Sequence, residues 1–248
     1  NPCFDWSWYL AVDMQCFLVI PILSFLYYKN KRLGVFSTCF VTAACIGVGI
    51  WVCFHFKENA NILIRSADGV INEFYRKPYT RAPTYMIGVL FGFLYLEYKA
   101  NQKDKRENNF VGKLTKSVQG SKYVQGGFYV FGLGFIAAAL YANFKTLKHP
   151  TNWTLAENAL YVALSRFIFT SGLAMFFLPN LLGVRNFFSW LMGGTFWSPL
   201  ARVVYAVYLV HPMILFFLVS SMQTYVTVTG TSMWFAVCAN ITVSFFFG

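Results

Sequence analysis

Apolar runs alternate with short polar loops along the whole chain. The windows 8–28, 33–56, 84–99, 123–144, 157–178, 199–221 and 231–247 are each predominantly apolar, and most approach the roughly 20 residues that a helix needs to cross a bilayer. The pattern predicts an all-α, polytopic transmembrane helical bundle of about seven helices, with residues 1–248 forming one integral-membrane domain. The longest polar stretches are the loops at 57–83 and 99–122. The third window is short and the seventh runs into the end of the sequence, so a longer protein is expected, with helices upstream and the rest of the last helix beyond. Gly88 and Gly92 in GVLFG have the small-xxx-small spacing that lets helix backbones approach, which predicts a packing contact there.

Composition supports this reading. The chain is 57% hydrophobic and 12% charged, with a mean hydropathy of +0.52, outside the range of soluble domains. In a soluble protein the net charge of +11 would suggest nucleic acid as a partner. Here the cations fall mainly in loops, where they set topology, and no nucleic-acid partner is expected. With the N-terminal end outside, the loops around Lys29 to Arg32 and Lys99 to Lys122 carry ten Lys or Arg, eleven with Arg185, against seven outside. The positive-inside rule favours that orientation. It also places the sequon Asn152-Trp153-Thr154 outside, where Asn152 can be glycosylated. The secretory pathway or plasma membrane is therefore expected rather than the mitochondrion. Five of the six cysteines lie in apolar segments, where they act as small hydrophobes, and Cys3 alone precedes the first helix.

Ionisable groups inside apolar windows need a partner, a watery cavity or a function, because each costs about 2.5–3.5 kcal/mol to insert. Four stand out: Asp13, Arg166, Arg202 and His211. Arg202 lies near the end of its window, where a long side chain can snorkel. Arg166 and His211 are expected at similar depth, roughly 13 and 15 Å from the outer face, with Asp13 at roughly 8 Å. A polar cavity in the outer half of the membrane follows, with Asp13 as the expected counter-ion of Arg166. Arg202, Tyr205, Tyr208 and His211 form an i+3 row winding around one helix, and Pro212 should kink that helix and free the carbonyl of Tyr208. A lone membrane histidine serves either as a packing element or as a proton acceptor, and the residues alone leave both open. The loop EFYRKPYTRAPTY gathers Tyr75, Arg76, Lys77, Tyr79 and Arg81 ahead of a helix, a set suited to a phosphate or carboxylate. Metal-ligand clusters, glycine-rich phosphate loops and serine-nucleophile motifs are absent, so no metal is expected.

Three blocks then matter together: WSWYLAVDMQCFLVIP (Trp6 to Pro21), FYRKPYTRAPTYMIGVLFGFL (Phe74 to Leu94) and FWSPLARVVYAVYLVHP (Phe196 to Pro212). In this order they resemble the nose resistant to fluoxetine branch of the acyltransferase-3 superfamily. The matching positions are Trp8, Tyr9, Asp13, Gln15, Tyr75, Lys77, Pro78, Tyr79, Arg81, Pro199, Tyr205, Tyr208 and His211. The resemblance implies transfer of an acyl group from acyl-CoA to a hydroxyl on a lipid or other acceptor, without a bound cofactor. His211 and Asp13 would orient or deprotonate the acceptor and Arg166 would stabilise charge on the carbonyl oxygen. Gln15, Tyr75, Lys77, Tyr79, Arg81, Arg202, Tyr205 and Tyr208 would bind substrate, and Lys103, Lys105 and Arg106 would attract the anionic CoA. The superfamily also uses an early arginine–histidine helix and a cysteine-rich extracellular region. Both are expected upstream of Asn1, the latter as the disulfide partner of Cys3. The same resemblance admits a lipid or amphiphile transporter, or a non-catalytic subunit with partners in a membrane complex.

Overall fold

The structure is a computed structural model that describes residues 8–57, 76–104, 109–142, 144, 153–220 and 229–247. Cys3, Tyr75, Lys105, Arg106 and Asn152 lie outside these residues. Every regular element among them is helical: α1 Trp8–Lys29, α2 Lys31–His55, α3 Pro78–Asp104, α4 Phe110–Gly120, α5 Lys122–Tyr141, α6 Leu155–Leu181, α7 Phe187–Met192, α8 Trp197–Ser220 and α9 Gly230–Phe247. Five of them, α1, α2, α5, α6 and the part of α8 from Trp197 to Phe217, are long and apolar enough to cross a membrane. The windows 84–99 and 231–247 fall inside α3 and α9. An all-helical answer is what lipid demands, because a helix satisfies its own backbone polar groups where no water can.

The chain divides into two compact units, Trp8–Arg185 and a second containing Asn186 onward. In the larger, α1 and α2 form a hairpin whose connection is the single extended residue Asn30 (φ −150°, ψ 111°). Its side-chain oxygen accepts from the backbone N–H groups of Arg32 and Leu33 at 3.0 and 3.4 Å, capping α2. Gly34 is buried and a methyl there would run into the backbone of Tyr27, which is why the hairpin can close so tightly. Helix α2 packs against α3 and α6, and α3 against α6 and α1. Leu23, Met86, Val89 and Phe93 form one buried cluster at the α1–α3 contact. There the Tyr27 and Phe93 rings stack at 4.1 Å. Lys31 of α2 pairs with Glu97 of α3.

The most extensive helix pairing joins α5 and α6. A Cβ placed on Gly132 would lie 2.8 Å from the carbonyl oxygen of Gly172, and one on Gly172 would lie 2.8 Å from that of Gly132. Backbone meets backbone, the contact that small residues permit between membrane helices. Gly88 and Gly92, expected from their spacing to serve this purpose, do not: a Cβ on either would meet nothing within 4 Å. Spacing places two glycines on one helix face. Contact also needs a helix close against them, and here Gly88 and Gly92 line a hollow shared with Ile20 and Ser24 of α1. In the smaller unit α8 packs on α9, and Trp197 Nε1 donates to the carbonyl of Leu191 at 2.6 Å, tying α7 to the start of α8.

Gly172→Val is therefore expected to force α5 and α6 apart and lower stability by at least the ~1–3 kcal/mol typical of overpacking. Gly92→Ala, in open space, should be neutral or slightly stabilising. Thermal unfolding of both variants in the same detergent checks this, and equal midpoints would contradict the crossing.

Candidate functional site

The segment Lys77 to Tyr85 builds one wall of a cavity in the larger unit. Pro78 is the first residue of α3, a position where its missing N–H costs nothing. The Thr80 hydroxyl donates to the carbonyl of Lys77 at 2.8 Å and the Thr84 hydroxyl to that of Arg81 at 2.7 Å. These local bonds support a helix start that contains a second proline, Pro83, whose absent N–H would otherwise serve Tyr79. Thr80, Ala82 and Pro83 are buried while Arg81 and Thr84 are half-buried, so the two latter side chains are left to face the cavity. Tyr79 packs against the cluster of Val52, Cys53, Ala159 and Val162, wedging the start of α3 between α2 and α6.

Helix α6 forms the opposite wall. A capping box starts it: the Thr154 N–H donates to the Glu157 carboxylate at 2.7 Å, and the Glu157 N–H donates to the Thr154 hydroxyl at 3.3 Å. Arg166 lies about 17 Å along α6 from Leu155 at 1.5 Å per residue. The cavity has a volume of about 350 Å³ and is lined by Arg81 and Thr84 from α3, Ala139 and Leu140 from α5, and Tyr161, Ser165, Arg166, Phe169 and Thr170 from α6. The Tyr161 hydroxyl donates to the carbonyl of Ala139 at 3.1 Å, closing the α5–α6 side. Among the described residues, two guanidinium groups and several hydroxyls thus share one hollow. Such a site favours an anion, or a group that becomes one during reaction, because each guanidinium can donate two parallel hydrogen bonds to a pair of oxygens.

Arg81 also lies against an aromatic face, its guanidinium 5.1 Å from the centroid of the Trp8 ring, close enough for a cation–π attraction. Trp8 opens α1 and packs on the cluster of Val12, Cys16 and Ala82. The structure therefore brings together two residues that the sequence singled out separately, Arg81 and Arg166, and adds Trp8 as the support of one of them. Asp13 is half-buried on α1 beside Val12 and is not among the cavity's lining residues. Gln15 is exposed on the same helix, Lys77 is half-buried just before α3, and Lys103 is exposed at the end of α3.

The remaining expected residues lie on α8, in the smaller unit. Along the i+3 row Arg202 and Tyr205 are exposed whereas Tyr208 and His211 are half-buried. The rings of Tyr208 and His211 are 5.8 Å apart. His211 Nδ1 lies 3.2 Å from the carbonyl oxygen of Val207. A carbonyl only accepts, so in the neutral ring this contact is a hydrogen bond when Nδ1 carries the hydrogen, the tautomer whose lone pair is on Nε2. Pro212 lies inside α8, which continues from Trp197 to Ser220. No cluster of three or more His, Cys, Asp or Glu capable of holding a metal occurs among the described residues.

Sequence reasoning missed Tyr161, Ser165, Thr170 and Thr84 as cavity residues. A signal was present: Tyr161, Ser165 and Arg166 fall within six residues of a largely apolar helix, with Thr170 one turn further on.

A membrane-spanning helical protein with a cationic cavity between its helices is the class these observations define. The family described as Acyltransferase domain matches residues 1–248, and the chain belongs to that family, acyltransferase-3. A stretch of 112 residues is 24% identical to Regulator of hypoxia-inducible factor 1 of Caenorhabditis elegans, covering 39% of this chain and 22% of that protein. The matched part is thus about a fifth of the length of this curated relative. No solved structure matches.

Trp8→Leu removes the ring beneath Arg81 and should speed phenylglyoxal labelling of Arg81, leaving labelling of Arg166 unchanged. Peptide mass spectrometry reads both arginines in one sample, and an unaltered Arg81 rate would show that the ring does not hold it.

Proposed function

We propose that the chain is a membrane acyltransferase of the nose resistant to fluoxetine branch, moving an acyl group from acyl-CoA to a hydroxyl on a lipid or similar acceptor. The observation that carries this reading is the family match across all 248 residues. The cavity of Arg81 and Arg166 supports it chemically. Attack of a hydroxyl oxygen on a thioester carbonyl places negative charge on the carbonyl oxygen, and guanidinium groups aimed at that oxygen stabilise such charge. In the proposed reaction the acceptor's proton passes to a neutral imidazole. The resemblance gives that role to His211, whose Nδ1 lies 3.2 Å from the carbonyl oxygen of Val207 and which in its neutral form would accept the proton at Nε2. The thiolate of CoA leaves as the tetrahedral intermediate collapses, and takes up a proton. Asp13, Gln15, Lys77, Tyr79, Arg202, Tyr205 and Tyr208 retain the binding and orienting roles that the resemblance implies.

The test uses the full-length protein in membranes supplied with radiolabelled acyl-CoA, with acylated product resolved from substrate. Arg166→Ala and His211→Ala are each expected to lower kcat/KM by about 10²-fold or more, the usual effect of removing an oxyanion donor or a general base, while Arg81→Lys retains part of the rate that Arg81→Ala loses. Normal product formation by both the Arg166 and His211 variants would overturn the assignment. Uptake of substrate with no acylated product, even in the unmodified protein, would instead identify a transporter.

A further inference from the structure

A second hollow in the larger unit is unlike the arginine cavity in shape and polarity. It lies between α2, α3 and the start of α4, with a volume of about 660 Å³, within the ~300–1,000 Å³ range of small-molecule sites. Its walls are apolar, with Val35, Phe36, Leu90 and Phe93 among them, and its polar groups include Tyr27, Lys31, Arg32, Glu97 and Asn109, near the α1–α2 turn. A further hollow of about 410 Å³ adjoins it, sharing Cys39 and Leu90 and reaching Ile46 on α2 and Met175 on α6. From Lys31 to Ile46 the two extend about 22 Å along α2 at 1.5 Å per residue, longer than the ~15 Å hydrocarbon depth of one leaflet.

The charges at the mouth specify the occupant's headgroup. Glu97 pairs with Lys31 and also accepts from Asn109 Nδ2 at 3.2 Å, so its negative charge is matched within the mouth. Among the described residues lining the mouth, Arg32, exposed beside them, leaves a net of one positive charge. That suits a single phosphodiester, whereas a coenzyme A thioester brings several phosphate charges. The groove also opens sideways: Phe36 is 68% exposed and Phe110 77%, so its rim is continuous with the apolar surface that faces lipid. A two-chain amphiphile can leave one chain in the bilayer and lay the other along the groove.

We propose that this groove holds one monoanionic phospholipid, its phosphate at Arg32 and Lys31 and one acyl chain along Cys39 and Leu90. The site is distinct from the Arg81–Arg166 cavity and does not depend on the acyl-transfer reading.

Cys39 provides the test without any substitution. It is an exposed free thiol in the groove wall, and Cys238 on α9 is an exposed free thiol elsewhere. Purified full-length protein in mild detergent is titrated with phosphatidylglycerol or phosphatidylcholine, alkylated with N-ethylmaleimide, and read peptide by peptide. Phosphatidylglycerol is expected to slow alkylation of Cys39 and not of Cys238, at concentrations where phosphatidylcholine has no effect. Arg32→Gln should raise the phosphatidylglycerol concentration for half-protection about tenfold, the loss of one charge-assisted contact. Equal protection by both lipids, or protection by oleate or palmitoyl-CoA but not by phosphatidylglycerol, would overturn the proposal. Both outcomes are readable in a protein with no transferase activity at all.

Discussion

At Gly132 and Gly172 the backbones of α5 and α6 are in direct contact, each glycine facing the other's carbonyl. Lipid supplies no hydrophobic force to press two apolar helices together, so their association rests on how closely they can approach. The crossing also sets the rotation of α6. Tyr161 and Ser165 precede Gly172 by about three and two helical turns and so share its face, which turns them towards α5. Arg166, one residue on, is rotated about 100° from Ser165, and it meets Arg81 of α3 in the same hollow. The polar site thus inherits its geometry from a contact that contains no polar side chain.

The larger unit separates two kinds of polarity. Around Arg81 and Arg166 the cations lie in the body of the unit, with hydroxyls and an aromatic ring as neighbours. At the groove beside Lys31 and Arg32 the charges are confined to the mouth and the interior is apolar. Positive charge is costly in a medium of low dielectric, and an anionic ligand or transition state in contact with it would offset part of that cost. Charge at a mouth is solvated and selects headgroups with little energetic penalty. Helix α6 contributes to the first site and α2 to the second, and the packing of α2 on α6 joins their scaffolds.

Much of this was legible in the sequence, for identifiable reasons. A bilayer admits few structures, so apolar windows of the right length translated directly into helices, and the KNKR break between the first two became a turn at Asn30. Arg166 could be singled out because a cation is expensive inside an apolar window, and Arg81 because cations and tyrosines gather in the loop ahead of α3. Their sharing of one cavity could not, since 85 positions separate them and only the packing of α3 against α6 unites them. The glycine expectation failed for the same reason: GVLFG describes one helix, whereas contact is a property of two. The contact of His211 Nδ1 with the carbonyl of Val207 one turn earlier is a matter of ring orientation, which composition does not encode.

The single-residue link at Asn30 bears on how the protein is made. With no loop between α1 and α2, neither helix can settle across the bilayer independently of its neighbour. The pair must enter as one hairpin, and Lys29, Lys31 and Arg32, clustered at its bend, then act as a single anchor that resists being drawn through. The orientation of both helices is decided in one event during synthesis, and any helices inserted afterwards meet a hairpin already in place.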